Sequence, residues 1–355
     1  MKPLQLGVIG VGNIAGAHLK AAPQVSDWVA MVALADPNDA NRQRQSARFN
    51  ITRTYADPAE LLTAPDIEGV VLCTPHDTHA ALAIAAARAG KHVLVEKPMG
   101  CSLSECDAMI AAAGAAGVKL MVAQCQRYDP ANRGLKAVIA NGELGRIRAV
   151  RIEAMQNAAA FLPPDHWYLD AQRAGGGIVI SVAIHKIDLL RYLIGNVVRV
   201  TASCRTVSPL FRNGAEDYAV ATLEFANGAV GQLFATWNAF RLPYSENLMI
   251  FGDDGAVHAL PATETQMGPA RIASRKRSPA AAPGFAGQFG GFQPVEPDRT
   301  GLPATDPFAN QLAHFAECCR TGAELLSSGR DNRCTLQIVF AIYESARTGR
   351  TVELP

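Results

Sequence analysis

The fold class that the sequence predicts is a two-domain α/β protein, and three observations predict it. The chain has 355 residues, more than one core usually organises at roughly 150 residues per domain. Its first third alternates short apolar runs with helical segments, as doubly wound parallel sheets do. The remainder has successive strand-like runs with fewer helices, as open and mainly antiparallel sheets do. We therefore predict domains at 1–125 and 126–355, the second also of α/β type.

The strands predicted for the first domain are runs rich in Val, Leu and Ile. Because these runs are apolar throughout rather than alternating, they are typical of strands buried on both faces of a parallel sheet. Two of the intervening helices are predicted at 80–89 and 103–116. The strands are predicted at 4–9, 29–35, 69–74, 92–96 and 118–122.

The second domain is predicted to begin its sheet at residue 147. Asn227-Gly228 lies between two strand-like runs and predicts a hairpin, because both residue types tolerate positive φ. One helix interrupts the strands at 178–194 and ends at Gly195, a residue suited to a left-handed cap. The segment 261–307, rich in Pro, Gly and Ala, predicts a long surface loop or insertion, which could be a lid, an oligomer arm or plain exposed chain. Strands are predicted at 147–155, 197–207, 217–225, 229–238 and 246–251, and later helices at 308–319 and 331–347.

Composition excludes several classes of function. Lys and Arg total 33 against 32 for Asp and Glu, so the net charge of +1 supplies no field that would attract nucleic acid or an anionic membrane. No apolar run reaches the roughly 20 residues that span a bilayer, and the chain enters a strand pattern at residue 4, without room for a signal peptide. The eight cysteines, which include adjacent Cys318 and Cys319, have no metal-type spacing. We expect a cytoplasmic protein without a metal site.

A glycine-rich turn follows the first predicted strand and precedes a helical segment. Gly10-Val11-Gly12-Asn13-Ile14-Ala15 is the GxGxxA form of the dinucleotide fingerprint in its required context. Gly10 permits the tight turn, Gly12 lets the backbone approach a pyrophosphate, and Ala15 keeps the helix close to the strand. The helix N-terminus, at Asn13 and Ile14, presents N–H groups to the phosphates. A turn without a ligand is the alternative, but the context favours a Rossmann domain.

Asp36 ends the second predicted strand, 24 positions beyond Gly12. A carboxylate about 20 residues after the fingerprint binds the adenosine ribose hydroxyls and repels a 2′-phosphate. NAD is therefore favoured over NADP. Arg42 and Arg44 are the reason that NADP stays open, because an arginine in the next helix could accommodate the extra phosphate.

Three further motifs complete the pattern. Cys73-Thr74-Pro75-His76-Asp77-Thr78-His79-Ala80 and Glu96-Lys97-Pro98 both follow predicted parallel strands, at the edge where ligands bind in open α/β sheets. The third, at 175–188, runs from a triple glycine through His185 to Asp188. With the fingerprint and the ending at 345–349, they make the chain resemble the Gfo/Idh/MocA family of glucose–fructose oxidoreductases and inositol dehydrogenases.

The resemblance implies a Rossmann domain followed by a substrate domain, a sugar-like or inositol-like polyol bound between the two, and an open sheet that supports homodimers or homotetramers. It also implies a cis peptide bond between Lys97 and Pro98. The residues expected at the cofactor are Thr74, Pro75, His79, Glu96, Lys97 and Gln126. For His79, which is predicted at a helix start, a structural role is the favoured alternative. Arg127, Trp167 and Tyr168 are expected near substrate. The alternatives are a domain-interface salt bridge for Arg127 and core or interface packing for the two aromatic residues.

Oxidising a secondary alcohol requires a base and positive polarisation near the oxygen, in addition to hydride transfer to the nicotinamide. His185 is the candidate base, because an imidazole titrates near neutral pH, and Lys97 is the candidate that stabilises the alkoxide. The alternatives are a structural histidine and a solvated strand-end lysine.

Ser181 lies four residues before His185 and Asp188 three after it, so the three residues can share one helix face. Many members of the family have Asp where this chain has Ser181. Serine cannot hold His185 by charge. Three alternatives follow: His185 acts alone, Asp188 supports His185, or the activity is slow or altered.

The predicted function is NAD(P)-dependent hydride transfer to or from a sugar or polyol. One alternative is an enzyme that retains its cofactor and modifies sugars by oxidation, elimination and reduction, as some glycoside-cleaving relatives do. The other is a non-catalytic regulator that senses a dinucleotide, because fold does not fix function.

Overall fold

The computed structural model describes residues 2–240, 247–259, 270–277 and 291–355. The chain folds as two compact units. The first comprises Met1–Asp129 and Arg299–Leu336, and the second comprises Pro130–Asp298 and Gln337–Pro355. In the described part of the chain, no helix combines the length and the apolar character needed to cross a membrane.

The first unit is built on a six-stranded, fully parallel sheet in the order β3-β2-β1-β4-β5-β6. The strand order reverses between β1 and β4. The carboxyl ends of these two strands therefore form the topological switch point, where open α/β sheets bind ligands. The strands are β1 Leu4–Ile9, β2 Val29–Ala35, β3 Thr54–Tyr55, β4 Gly69–Leu72, β5 His92–Val95 and β6 Leu120–Val122.

Helices cover this sheet. One part of the apolar core lies between β1, the first helix and the helix that begins at Pro307, where Leu19, Leu312 and Phe315 are buried. The last helix of the chain begins in the first unit and ends in the second. Numbered along the chain, the helices are α1 Asn13–Ala21, α2 Asp39–Phe49, α3 Pro58–Leu62, α4 His79–Arg88, α5 Leu103–Ala116, α9 Pro307–Thr321 and α10 Gly329–Thr348.

The second unit is built on a nine-stranded sheet in the order β14-β13-β12-β11-β7-β10-β9-β8-β15. Only the β7–β10 pair is parallel, so the described sheet is mixed and mainly antiparallel, as predicted. Its strands are β7 Ile147–Met155, β8 Val197–Arg205, β9 Tyr218–Phe225, β10 Val230–Thr236, β11 Leu248–Gly252, β12 Gly255–Ala259, β13 Arg271–Ser274, β14 Gln293–Pro294 and β15 Val352–Glu353.

The helices of the second unit include one irregular segment. The predicted helix at 178–194 consists of a π-helical turn at Val179–Ala183 followed by α8 at Ile184–Leu193. Single π-turns inside helices are rare and occur often at functional sites. The remaining helices are α6 Pro130–Ala140 and α7 Ala171–Ala174.

Two features differ from what the sequence predicts. The segment 261–307 is not a plain loop, because Arg271–Ser274 pairs with β12 and Gln293–Pro294 pairs with β13; residues 260–269 and 278–290 lie outside the described residues. The chain also returns to the first unit at 299–336, where a contiguous second domain at 126–355 is predicted. The return places α9 against α1 and buries apolar surface from both helices.

Candidate functional site

The glycine turn between β1 and α1 has the geometry that the fingerprint requires. Gly10 has φ of +81° and donates its N–H to Ala35 O at 2.8 Å. A Cβ at Gly10 would lie 2.6 Å from Thr74 Cγ2 and 2.8 Å from the Cys73 main chain. Only glycine fits this position.

Gly12 is the extended residue directly before α1, and no described side chain caps this helix start. A Cβ at Gly12 would meet no described heavy atom within 4 Å. The space beside Gly12 at the start of α1 is therefore open, and we call it the cradle. The N–H groups of Asn13 and Ile14 are in the first turn, where they have no acceptor within the helix, and Ile14 is 38% exposed. A helix start of this kind binds phosphate.

Asp36 follows β2 and is nearly buried. Its Oδ2 accepts the Val11 N–H at 2.8 Å, and its Oδ1 accepts the Asn38 N–H at 2.8 Å. These bonds fix the carboxylate beside the glycine turn. The guanidinium of Arg42 donates to the Asp36 carbonyl and to Asp39, and exposed Arg44 donates to Asn41 Oδ1 at 2.8 Å.

His79 belongs to the motif that follows β4 and is the first residue of α4. Its Nδ1 is 2.8 Å from Pro98 O and its Nε2 is 2.9 Å from Thr74 O. The ring is fully buried, and burial lowers its pKa. His79 therefore joins the motif containing Thr74 and Pro75 to the one containing Lys97, which is a structural arrangement.

Glu96 and Lys97 follow β5. Glu96 Oε1 lies 2.8 Å from His18 Nε2, and Oε2 accepts the Lys97 N–H at 3.2 Å. Burial would raise the pKa of Glu96, but the hydrogen bond and charge of His18, with the charge of Lys97, hold it below its ordinary value. Lys97 itself is only 9% exposed, and the Lys97–Pro98 peptide bond is cis, as the resemblance implies.

Gln126 and Arg127 lie in a 3-10 turn at Cys125–Tyr128 that follows β6. Arg127 Nη2 lies 2.6 Å from Asp331 Oδ2, and its Nη1 donates to Leu326 O at 2.8 Å. Arg127 and Asp331 both belong to the first unit, so this ion pair is not the domain-interface salt bridge that was the alternative for Arg127.

The second unit places Ser181, His185 and Asp188 on one helical segment. Ser181 lies in the π-turn and is buried, His185 lies one residue into α8 and is half-buried, and Asp188 is buried. The π-turn ends two residues before His185.

Trp167 and Tyr168 belong to an aromatic cluster in the second unit. Their rings are edge-to-face at 4.3 Å, and Tyr168 is stacked near Trp237 with centroids 6.2 Å apart. Trp237 in turn stacks on Phe211 at 5.4 Å. Trp237 and Phe211 are buried, while Trp167 and Tyr168 remain half-buried.

The sequence did not single out three residues that the structure connects to these motifs. His18 binds Glu96, and Glu216 and Tyr343 bind the start of the helix that carries His185. The local signal for Glu216 was weak: it is an acidic residue directly before the strand predicted at 217–225, next to a second acid, Asp217.

The cradle at Gly12, the N–H groups of α1 and the fixed carboxylate of Asp36 fit a dinucleotide at the switch point of the first sheet. These features define the class of dinucleotide-binding proteins with a Rossmann fold. The model of the oxidoreductase family with an NAD-binding Rossmann fold matches residues 4–124, and that of the GFO/IDH/MocA C-terminal domain matches residues 132–258. The chain belongs to the Gfo/Idh/MocA oxidoreductase family.

Named relatives align with nearly the whole chain or with most of it. The chain is 28% identical to myo-inositol 2-dehydrogenase of Thermotoga maritima over 354 residues, which cover 99% of this chain and 98% of the relative. It is 32% identical to levoglucosan dehydrogenase of Pseudarthrobacter phenanthrenivorans over 286 residues, 72% of this chain and 73% of the relative.

Solved structures of sugar oxidoreductases have the same fold as this chain. A levoglucosan dehydrogenase in complex with NADH and levoglucosan has a TM-score of 0.86 and 28% identity, covering 99% of this chain and 100% of that chain. The aldose-aldose oxidoreductase from Caulobacter crescentus, complexed with glycerol, has a TM-score of 0.84 and 29% identity, covering 99% of this chain and 100% of that chain.

Proposed function

We propose that this protein uses NAD to oxidise a secondary hydroxyl group of a sugar or cyclic polyol, or to reduce the corresponding carbonyl. The observation that carries the proposal lies in the first unit. The open cradle at Gly12, the carboxylate of Asp36 and the nearly buried Lys97 all follow strands at the carboxyl edge of one parallel sheet. An ammonium at that edge is suited to an oxygen that develops negative charge.

The substrate class rests on the relatives. They are named for myo-inositol and levoglucosan, and one structural neighbour is an aldose-aldose oxidoreductase. These are polyhydroxylated molecules with secondary hydroxyl groups. The half-buried rings of Trp167 and Tyr168 suit the C–H face of such a molecule.

The proposed mechanism assigns two residues. Lys97 donates a hydrogen bond to the reacting oxygen and lowers the energy of its alkoxide form. His185 accepts the hydroxyl proton at its imidazole and returns it in the reverse reaction. The residues of the cradle and Asp36 would hold NAD, which would supply the hydride acceptor. Lys97 belongs to the first unit and His185 to the second, and the family motifs are the basis for assigning a role to each.

The family resemblance implies Asp at the position where this chain has Ser181, and Asp188 is the acidic residue on this helical segment. We propose that His185 works without a carboxylate at position 181. The remaining residues that we propose to contact the cofactor are Thr74, Pro75, Glu96 and Gln126. The salt bridge of Arg127 to Asp331 favours a positioning role for that residue over direct substrate binding.

The test is a panel of inositols, anhydrosugars and aldoses, followed at 340 nm with NAD and NADP in parallel. Lys97→Met and His185→Asn should each lower kcat about 100-fold or more, the usual contribution of an acid–base group. Lys20→Met, at an exposed position of α1, and His258→Asn on β12 are matched controls that should retain activity.

Three other outcomes would reject the proposal. Turnover without added NAD, by protein that keeps its cofactor through purification, would indicate the cofactor-retaining alternative. Tight NADH binding without turnover on any polyol would indicate the regulator. Unchanged kcat in both variants would remove Lys97 and His185 from the chemistry.

We also propose a cytoplasmic homodimer or homotetramer. Val220, Val230 and Phe251 are exposed on one face of the second sheet, where Val230 and Phe251 both neighbour Ala149. Exposed apolar groups on an open sheet support self-association. Light scattering after size-exclusion chromatography should give a multimer, and Val220→Glu with Phe251→Glu should shift it towards monomer.

A further inference from the structure

The helical segment that carries Ser181 and His185 begins with main-chain N–H groups that have no acceptor one turn earlier. These are the N–H groups of residues 177–180. The first bond inside the segment is made by Ser181, whose N–H donates to Gly177 O at 3.2 Å. Four donors at the start of this segment therefore need acceptors from elsewhere.

Glu216, two residues before β9, accepts three of them. Its Oε2 accepts the Gly177 N–H at 2.6 Å, and its Oε1 accepts the Val179 N–H at 2.8 Å. Its main-chain oxygen accepts the Ile178 N–H at 2.8 Å. The side chain is 5% exposed, so water does not replace these bonds. A carboxylate at a helix N-terminus is also stabilised by the helix dipole.

Tyr343, on α10, accepts the fourth. Its Oη accepts the Ile180 N–H at 3.2 Å and donates to Glu216 Oε1 at 3.1 Å. The phenol therefore satisfies the last donor and fixes the carboxylate at the same time. All four N–H groups are taken up by two side chains and one carbonyl of distant residues.

The glycines before the segment are explained by this close approach. A Cβ at Gly176 would lie 2.1 Å from Tyr343 Oη, and a Cβ at Gly177 would lie 1.9 Å from Glu216 O. Any side chain at either position would push Glu216 or Tyr343 away from the helix start. Gly176 and Gly177 are thus required by the clamp formed by Glu216 and Tyr343.

We propose that Glu216 and Tyr343 are positioning residues for His185, because they fix the helical turn that directly precedes it. The proposal rests on the proposed role of His185 as the base. A displacement of the imidazole by a fraction of an ångström weakens proton transfer more than it weakens substrate binding, because proton transfer depends steeply on geometry. The clamp should therefore control kcat more than KM.

The ionisation of Glu216 gives the clamp a pH dependence. Burial raises the pKa of Glu216 to about 7, although the main-chain N–H groups and the Tyr343 hydroxyl oppose that shift. Two titratable groups that interact with Glu216 are the Tyr343 phenol and the Cys204 thiol. Burial raises the pKa of both, so they stay protonated at neutral pH. A protonated Glu216 carries a hydrogen on one of the two oxygens that accept N–H bonds. The clamp should weaken as pH falls through about 7.

The experiment compares Glu216→Gln and Tyr343→Phe with the wild-type protein in steady-state kinetics, on whichever polyol the panel identifies. Each variant should lower kcat about tenfold, and KM for the polyol should change less than about threefold. The dissociation constant of NADH should be unchanged, because the dinucleotide cradle is in the first unit. Glu224→Gln on β9, which removes an exposed carboxylate paired with Arg199, is the matched control and should retain kcat.

The pH profile of kcat separates positioning from general loss of stability. The wild-type kcat should decrease as pH falls through about 7, where Glu216 becomes protonated. In Glu216→Gln this decrease should be absent. In Tyr343→Phe it should move to higher pH, because the hydrogen bond from Tyr343 lowers the pKa of Glu216. A variant that is only less stable would reduce the amount of active protein without moving the profile. Unchanged kcat and an unchanged profile in both variants would overturn the proposal.

Amide hydrogen exchange of residues 176–186 provides a measurement that needs no turnover. Both variants should lose protection in this segment, whereas Glu224→Gln should not. If the wild-type protein oxidises no polyol, the proposed function fails, and exchange still decides whether the clamp exists. If exchange in both variants equals that of the wild-type protein, the clamp is rejected even where the function stands.

Discussion

Nε2 of His18 lies 2.8 Å from Oε1 of Glu96, and both side chains are buried in the first unit. His18 is on α1, the helix that starts at the glycine turn, and Glu96 directly precedes Lys97. Because Glu96 Oε2 also accepts the Lys97 N–H, one carboxylate connects the dinucleotide cradle to the lysine that we assign to the chemistry. The ring of His18 packs edge-on against Phe308 at 5.1 Å, so its orientation is fixed by α9.

Removal of His18 should strongly destabilise the first unit. In His18→Ala the buried carboxylate of Glu96 loses a partner and the ring leaves a cavity, and such a loss costs about 3 kcal/mol. Urea unfolding should show this decrease in the free energy of unfolding. Lys20→Ala, at an exposed position of the same helix, is the control. A His18→Ala value within about 0.5 kcal/mol of that control would contradict the role of the pair.

Gly10 and Gly12 should respond differently to alanine. Gly10→Ala places a Cβ against Thr74 and the Cys73 main chain at positive φ, so it should lower the free energy of unfolding by about 2 kcal/mol. Gly12→Ala meets no described atom, so stability should change by less than about 1 kcal/mol. Its Cβ occupies the cradle, however, and the dissociation constant of NADH should rise about tenfold. NADH fluorescence titration and urea unfolding measure the two effects; equal NADH affinity in Gly12→Ala and wild type would argue against the cradle.

Asp36 should set the preference for NAD. Its carboxylate is held by two N–H groups and repels a 2′-phosphate. Asp36→Asn should lower kcat/KM with NAD and reduce the ratio of NAD to NADP efficiency about tenfold, since about 1.4 kcal/mol of discrimination corresponds to that factor. Asp27→Asn, at an exposed loop position, is the control. The assignment fails if the ratio is the same in both variants.

Glu216 should make stability depend on pH in a defined direction. Burial raises its pKa in the folded state to about 7 from an ordinary value of 4.5, so the folded protein binds more protons between these values than the unfolded chain. The resulting stabilisation is complete below pH 4.5 and is lost as pH rises through about 7, by about 3 kcal/mol in total. Urea unfolding from pH 5 to 8 should show that decline in the wild-type protein, and Glu216→Gln should lack it. The ionised carboxylate therefore holds the helix start at a cost to overall stability.

Much of the first unit could be predicted because its signals are local. The strand 4–9 and the helix 103–116 have the predicted bounds, and the glycine turn with Asp36 lies where the fingerprint requires. In the second unit the strand 147–155 is also as predicted, and Gly228 has the positive φ that the hairpin needs. Apolar periodicity and turn chemistry are properties of consecutive residues, so they can be recognised in one sequence.

Other parts of the site have no local signal. His185 stands out in the sequence, but the groups that hold the start of its helical segment are distant along the chain. Glu216 lies 39 residues after its partner Gly177, and Tyr343 lies 163 residues after its partner Ile180. His18 and Glu96 are 78 residues apart, and residues 299–336 join the first unit although they follow the second along the chain.

The sequence by itself determined the parallel sheet, the dinucleotide fingerprint, the family motifs and the two residues to which we assign the chemistry. Only the tertiary structure decided that a carboxylate and a phenol close the start of the helix before His185, and that a histidine ties Glu96 to α1. The physical reason is that buried polar groups must find partners wherever the folded chain brings them. Those partners are chosen by packing of distant segments, which leaves no periodic pattern along the chain.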